Sequence, residues 1–338
     1  MRRVDLEAPA TGSTGNTARD QAALLPPVPG VYRFRDVAGR VLYLGRATQL
    51  RGRVGSYWGD LRDRAHLAPM VARVARVEAV ACDSVHEAAW LERNLLQARK
   101  PPWNRAPDGG QESEVWIRLS DDVREPGVTV VYQPDERDRN FGPYLGGRQV
   151  RLAVSGLCRV LPLDYAGGAL TGTRQDLARI RGVGPGDRVA LTARVAAVLG
   201  RDPAEVSALK TSLIERRDAA SAALAFELAA RLQQEAEALD WVTAEQKVTG
   251  PGAADHDACG WSDGTLARFE IRAGRLAGWT VRSCGAAAAR RQLAATPPEW
   301  AAFAQRNAEL AARLAARRRA GLPAAGRVTR GCSRFPAC

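Results

Sequence analysis

The stretch "PGVYRF", residues 29–34, and the longer "GRVLYLGRATQLRGRV", residues 39–54, decide how the chain is read. "GVYRFRD" and "RVLYLGRA" have the alternation and the β-branched and aromatic content of two short strands, and Ala38–Gly39 supplies the turn between them. Cross-strand pairing then brings Tyr32 and Tyr43 to one face. "TQLRGRVGSYW" follows with helical spacing and places Arg51 and Arg53 close behind Arg46. Two tyrosines on neighbouring strands, backed at once by three arginines, suit a site that handles phosphate.

The pattern continues to about residue 107. "LAPMVARVARV" has helical spacing and "EAVACDSV" reads as a strand. "HEAAWLERNLLQARK" is an amphipathic helix with Ala88, Leu91, Leu95 and Leu96 as its apolar stripe, stopped by "KPPW". Glu92 lies off that stripe, where it can face a cleft. The order is β-β-α-α-β-α, a compact α/β unit.

The 338 residues, 46% of them hydrophobic, are enough for two or three packed domains. Lys+Arg number 49 against 37 Asp+Glu, a formal net charge of +12. Residues 30–105 hold 14 basic against 7 acidic side chains, and residues 301–338 hold 8 against 1. Two separated basic regions fit a polyanion, most simply nucleic acid. Lysine occurs only at 100, 210 and 247; in so alanine-rich a chain the preference for arginine reflects composition. Six scattered cysteines form no CxxC pair, no leader sequence opens the chain, and no apolar run reaches membrane-spanning length. A reducing cytoplasm with free thiols is the expectation, with Cys332 and Cys338 forming at most an adventitious disulfide. His66, His86 and His256 lack ligand spacing and are expected in surface or hydrogen-bonding roles.

Hydrolysis of a phosphodiester needs an activated water, a cation to balance the phosphorane, and usually a carboxylate-held metal. "GVY", then "YLG", an arginine eight residues beyond that glycine, "LERNLL" and the Asn of "PPWN" together resemble the GIY-YIG nuclease family, in its UvrC/Cho-like branch. The resemblance implies an α/β domain built on a central three-stranded antiparallel sheet flanked by helices. It implies that Tyr32 deprotonates the attacking water, that Tyr43 positions hydrated metal and phosphate, and that Arg53 stabilises the transition state. Glu92 would hold one Mg²⁺ or Mn²⁺ and Asn104 would orient its surroundings. Arg46 stands where the pattern often has lysine, and Trp103 where a tyrosine is common. A free phenol titrates near 10 and is a poor base at neutrality, so Arg46, Arg53 and the metal are expected to favour its phenolate or to take its proton on a metal-bound hydroxide.

Beyond the nuclease unit, "FGPYLGGRQVRLAVSGLCRVLPL" resembles the segment that follows it in this branch. "AALAFELAARLQQEAEAL" resembles the UVR hairpin that contacts UvrB, the match resting on Phe226, Glu227, Ala230 and Leu232. Only Cys158 stands where the branch has an iron–sulfur cysteine cluster, so no such cluster is expected. "DLARIRGVGPGDRVAL" takes its place and reads either as a helix-hairpin-helix or as a plain helical corner. The expected division is a disordered 1–25, a nuclease domain 26–107, a connection 108–170, a helical segment 171–200, the hairpin 201–247, a small β segment 257–284, a helix 297–320 and a basic tail 321–338. The sequence ends where the branch would begin its RNase H-like second nuclease, so one incision chemistry is expected. The resemblance implies a metal-dependent endonuclease that cuts damaged double-stranded DNA, on the 3′ side of a lesion, with UvrB as partner. A non-catalytic adaptor and a GIY-YIG nuclease outside repair remain as alternatives.

Overall fold

The computed structural model describes residues 12–104, 113–135, 137–244, 255–272 and 275–321. The basic tail beyond 321, with Cys332 and Cys338, lies outside the described residues. Strands β1 (Gly30–Arg35) and β2 (Val41–Ala47) form a hairpin, and β3 (Arg76–Ala81) pairs with the other edge of β1, all antiparallel in the order β2-β1-β3. The hairpin turns at Gly39, whose φ of +79° suits glycine, while the Asp36 carboxylate accepts from the Arg40 amide. This is the sheet implied by the resemblance.

The period-2 pattern sorts the two faces of this sheet. Tyr32 and Phe34 point into a core with Leu50, Val54, Tyr57 and Met70. Val31, Leu44 and Val80 point into another with Leu91 and Leu96 of helix α4 (Val85–Ala98). Ser84 caps α4 by accepting from the Glu87 amide, and the Glu87 carboxylate accepts from the Asp83 amide. The helices between β2 and β3 are shorter than their spacing suggests. Helix α2 covers only Leu50–Gly55, followed by a 3₁₀ turn at Ser56–Trp58. Helix α3 is a single turn, Ala68–Val71, because β1 recruits residues from Arg76 onward into the sheet.

Helix α1 (Gly12–Ala23) occupies a stretch expected to be disordered. Ala18, Ala22 and Gln21 are buried; Gln21 donates to the Leu314 carbonyl and accepts from the Val77 amide. Small residues suited to an unstructured arm are equally suited to close helix packing, and a distant helix supplies the surface.

A second sheet, β4 (Glu114–Ser120), β5 (Gly127–Val131) and β6 (Arg139–Leu145), has the order β5-β4-β6. It shares one core with helices α5 (Gly147–Val160), α7 (Arg188–Leu199), α8 (Pro203–Ala222) and α9 (Phe226–Thr243); the short α6 (Thr173–Ile180) precedes α7. Glu235 on α9, wholly buried, accepts from Arg159 and Ser155 on α5 and so fixes these helices together.

The third sheet, β7 (His256–Ser262), β8 (Thr265–Arg272) and β9 (Arg275–Ser283), is followed by α10 (Ala286–Leu293) and α11 (Pro298–Gly321). It packs back onto the first. Phe269, Trp279 and Phe303 join the core of Val31 and Leu91, and the Arg33 guanidinium lies 3.9 Å over the Trp279 ring. Asn307 of α11 brackets Ala81 of β3, accepting from its amide at 2.7 Å and donating to its carbonyl at 3.2 Å. At Gly260 a Cβ would lie 2.0 Å from the Ala304 carbonyl oxygen, so only glycine permits this approach of β7 to α11.

Candidate active site

In the β1–β2 ladder Tyr32 faces Gly45 and Phe34 faces Tyr43, so the two tyrosines are diagonal neighbours on one face. A Cβ at position 45 would lie 2.7 Å from Tyr32 Oη and 2.9 Å from Tyr43 Cε1. The glycine of "YLG" is therefore the space into which both phenols fit. Tyr32 is wholly buried and its hydroxyl is 2.7 Å from that of Tyr57.

Tyr57 is a site residue that the sequence reading missed. The signal was present: Leu50, Val54 and Tyr57 recur at i, i+4, i+7 and form the buried side of the turn that also carries Arg53. The Arg53 guanidinium sits 5.7 Å from the Tyr57 ring centre. Burial opposes its charge, but the phenols of Tyr32 and Tyr57 outweigh this and raise the Arg53 pKa.

Glu92 enters from α4, nearly buried at 9% exposure. Its Oε1 accepts from the Arg46 amide at 3.1 Å, and its Oε2 lies 3.4 Å from Arg46 Nε. Tyr32, Tyr43, Arg46, Arg53 and Glu92 thus converge on one cavity of about 600 Å³. Asn104 does not line it. Its side chain accepts from the Leu44 amide and donates to the Leu44 carbonyl, clamping the free edge of β2 next to Tyr43.

The electrostatics run against an easily formed phenolate. Burial, then the Tyr57 and Tyr43 phenols, push Tyr32 well above its ordinary value, and Arg53 pulls back only in part. Tyr43 is raised by burial, by Tyr57 and by Glu92. Among the protein groups alone, desolvation of the wholly buried Tyr32 phenol outweighs the Arg53 guanidinium at the cavity rim.

The opposite wall comes from the second sheet and its helices. Gly146 and Gln149, at the start of α5, and Trp241, near the end of α9, line the same cavity. No local pattern marks them, since they lie from about one hundred to two hundred residues beyond the tyrosines. Behind Trp241 lies His86, its ring 4.4 Å from the indole and 5.4 Å from the Tyr144 ring. His86 is fully buried and among the described residues neither ring nitrogen has a hydrogen-bond partner. This corrects its assignment to a surface or hydrogen-bonding role; an aromatic sandwich between two units of the fold holds it. The hairpin residues also separate: Phe226, Glu227 and Ala230 are exposed, whereas Leu232 is core, packed in the cluster of α5 and α8.

Among the described residues no three His, Cys, Asp or Glu side chains converge, so an all-protein metal cage is not what these residues build. One carboxylate on a roomy cavity fits a hard divalent ion that keeps several waters and takes substrate phosphate oxygens.

The sheet, the crossing helix α4 and the cavity between them define a GIY-YIG domain. Residues 28–105 match the family model described as a UvrC-like GIY-YIG domain, and this stretch of the chain belongs to that family. Similarity extends further along the chain. The UvrABC system protein C of Synechocystis sp. is 31% identical over 288 residues, 75% of this chain and 43% of that relative. Its counterpart in Mycobacterium sp. (strain KMS) is 32% identical over 294 residues, 80% of this chain and 43% of that relative. The chain spans less than half the length of these curated relatives. Among solved structures, the GIY-YIG N-terminal endonuclease domain of UvrC from Thermotoga maritima, bound to magnesium, aligns at 30% identity over 25% of this chain and 93% of that one, with a TM-score of 0.23.

Proposed function

We propose that the protein is a metal-dependent DNA endonuclease of the UvrC/Cho type acting in nucleotide excision repair, cutting a phosphodiester on the 3′ side of a lesion. The observation that carries this reading is the convergence of two tyrosines, two arginines and one carboxylate on a single cavity within the matched domain. Glu92 would hold one Mg²⁺ or Mn²⁺, which supplies Lewis-acid polarisation of the phosphate when bound. Tyr43, beside Glu92 on the cavity, orients the phosphate. Arg53 balances charge that develops on the phosphorane. Tyr32, a neutral phenol at rest, aligns the attacking water, with its own hydroxyl held by Tyr57. Arg46 holds and orients Glu92 through its amide and guanidinium. Asn104 acts at one remove, fixing the β2 edge that carries Tyr43.

The exposed end of the α8–α9 hairpin, with Leu224, Phe226 and Leu228 in solvent, is the surface proposed for UvrB. The test is cleavage of a labelled duplex carrying one bulky adduct, with Mg²⁺ or Mn²⁺, with and without UvrB. A single metal-dependent cut 3′ of the adduct, lost in Glu92→Gln, is expected. No cut by folded wild type under any condition, alongside UvrB binding, overturns the reading in favour of an adaptor.

A further inference from the structure

At the far end of α5 from the nuclease cavity, the α6–α7 corner and α8 enclose a second cavity of about 620 Å³. Arg159, Arg181, Arg194 and Arg216 line it against one lining carboxylate, Asp187. Their partners differ. Arg159 is bound to buried Glu235, and Arg194 pairs with Glu205. Arg181 packs over the Tyr165 ring at 4.5 Å, and among the described residues neither it nor Arg216 has a carboxylate partner. Both are exposed. Two unneutralised guanidiniums over a concave polar floor make an anion site, since the planar fork matches phosphate oxygens.

Three backbone amides of the corner are already engaged within it. The Val183 amide donates to Ala178, the Gly182 amide to Arg179, and the Gly184 amide to the Asp187 carboxylate. Those donors are already engaged, so recognition at this place falls to the arginine side chains.

Helix α5 sets the distance. It runs from Gly147, beside the nuclease cavity, to Val160, which lines the arginine cavity. At 1.5 Å per residue its 14 residues span about 20 Å. Phosphates on one DNA strand recur about every 3.4 Å, so this span corresponds to about six nucleotides. We infer that the α5–α6–α7–α8 cavity is a second DNA-backbone site, in which Arg181 and Arg216 hold phosphates about six nucleotides from the one in the nuclease cavity. This inference rests on DNA as the substrate proposed above. It adds an anchor that grips without contributing to the chemistry.

The test is duplex binding by fluorescence anisotropy across a salt series, comparing the full chain with Arg181→Gln/Arg216→Gln, each folded by circular dichroism and melting. Each lost phosphate contact lowers the slope of log K against log salt by about 0.9. The double variant is therefore expected to lose about 1.8 from the slope and to bind at least tenfold more weakly at low salt. In cleavage assays its KM rises while kcat holds. Unchanged affinity and slope overturn the inference, and the arginines then serve an acidic protein or none. A fall in kcat with KM unchanged overturns it too. Binding is read without cutting, so failure here is distinct from failure of the nuclease reading, in which wild type binds DNA and never cuts.

Discussion

The hydroxyls of Tyr32 and Tyr57 stand 2.7 Å apart beneath the candidate active-site cavity, a hydrogen bond between a strand and a 3₁₀ turn 25 residues away. The Tyr32 hydroxyl thereby has one defined direction, which is what an aligned water requires. Tyr57→Phe removes the partner and keeps the ring. A neutral hydrogen bond is worth about 1 kcal/mol, so cleavage should fall roughly five- to tenfold with the melting temperature little changed. Single-turnover rates of the two proteins check this, and an unchanged rate removes Tyr57 from the site.

Trp241 reaches the cavity from α9, half-buried, with buried His86 behind its ring. With DNA as the proposed substrate, a backed indole on this cavity is placed to stack on a base, an interaction worth about 1–3 kcal/mol. Trp241→Ala is expected to raise KM roughly 5- to 100-fold, whereas Trp241→Phe keeps most of the affinity. Equal KM for all three proteins would show that the indole packs the junction and touches no substrate.

Acid should loosen this junction. Burial, then the charges of Arg201 and Arg46, lower the His86 pKa to about 3, against about 6.5 in an unfolded chain. Between those values the unfolded state binds the extra proton, so stability is intact above about pH 6.5 and is lost as pH falls towards 3. The limiting slope is about 1.4 kcal/mol per pH unit. Denaturant midpoints measured from pH 7 to pH 4 should fall, and His86→Phe should flatten the curve. An equally steep curve in the variant places the acid sensitivity elsewhere.

Asn307 stands in for a strand at the edge of β3, satisfying both the amide and the carbonyl of Ala81 from a helix 226 residues away. Asn307→Leu keeps the volume and leaves both groups buried without that partner. At about 1–3 kcal/mol for each orphaned group, it should cost about 2–5 kcal/mol, seen as a lower melting temperature of the whole protein. A loss confined to the third sheet, with the nuclease unit melting as before, would show that the two units fold independently.

The candidate site was legible in the sequence because its parts lie on adjacent, strongly patterned elements. The β1–β2 hairpin, the glycine between the tyrosines and the amphipathic α4 each follow from local periodicity, and together they place Tyr32, Tyr43, Arg46, Arg53 and Glu92. Periodicity reports that a face is buried and not what covers it. Small residues in "TGNTARDQAA" read as a loose arm, yet α11 gives them a surface to pack on. Leu232 belongs to a stretch read as a partner-binding motif, yet α5 and α8 already bury it. Gln149 and Trp241 carried no local signal, since the wall they build exists only when the second sheet and its helices dock on α4, where His86 backs the indole. The sequence by itself determined the chemistry of one wall of the cavity, through residues at most about sixty positions apart. Tertiary structure decided the opposite wall and how far each phenol is desolvated, because both depend on long-range packing that no local pattern encodes.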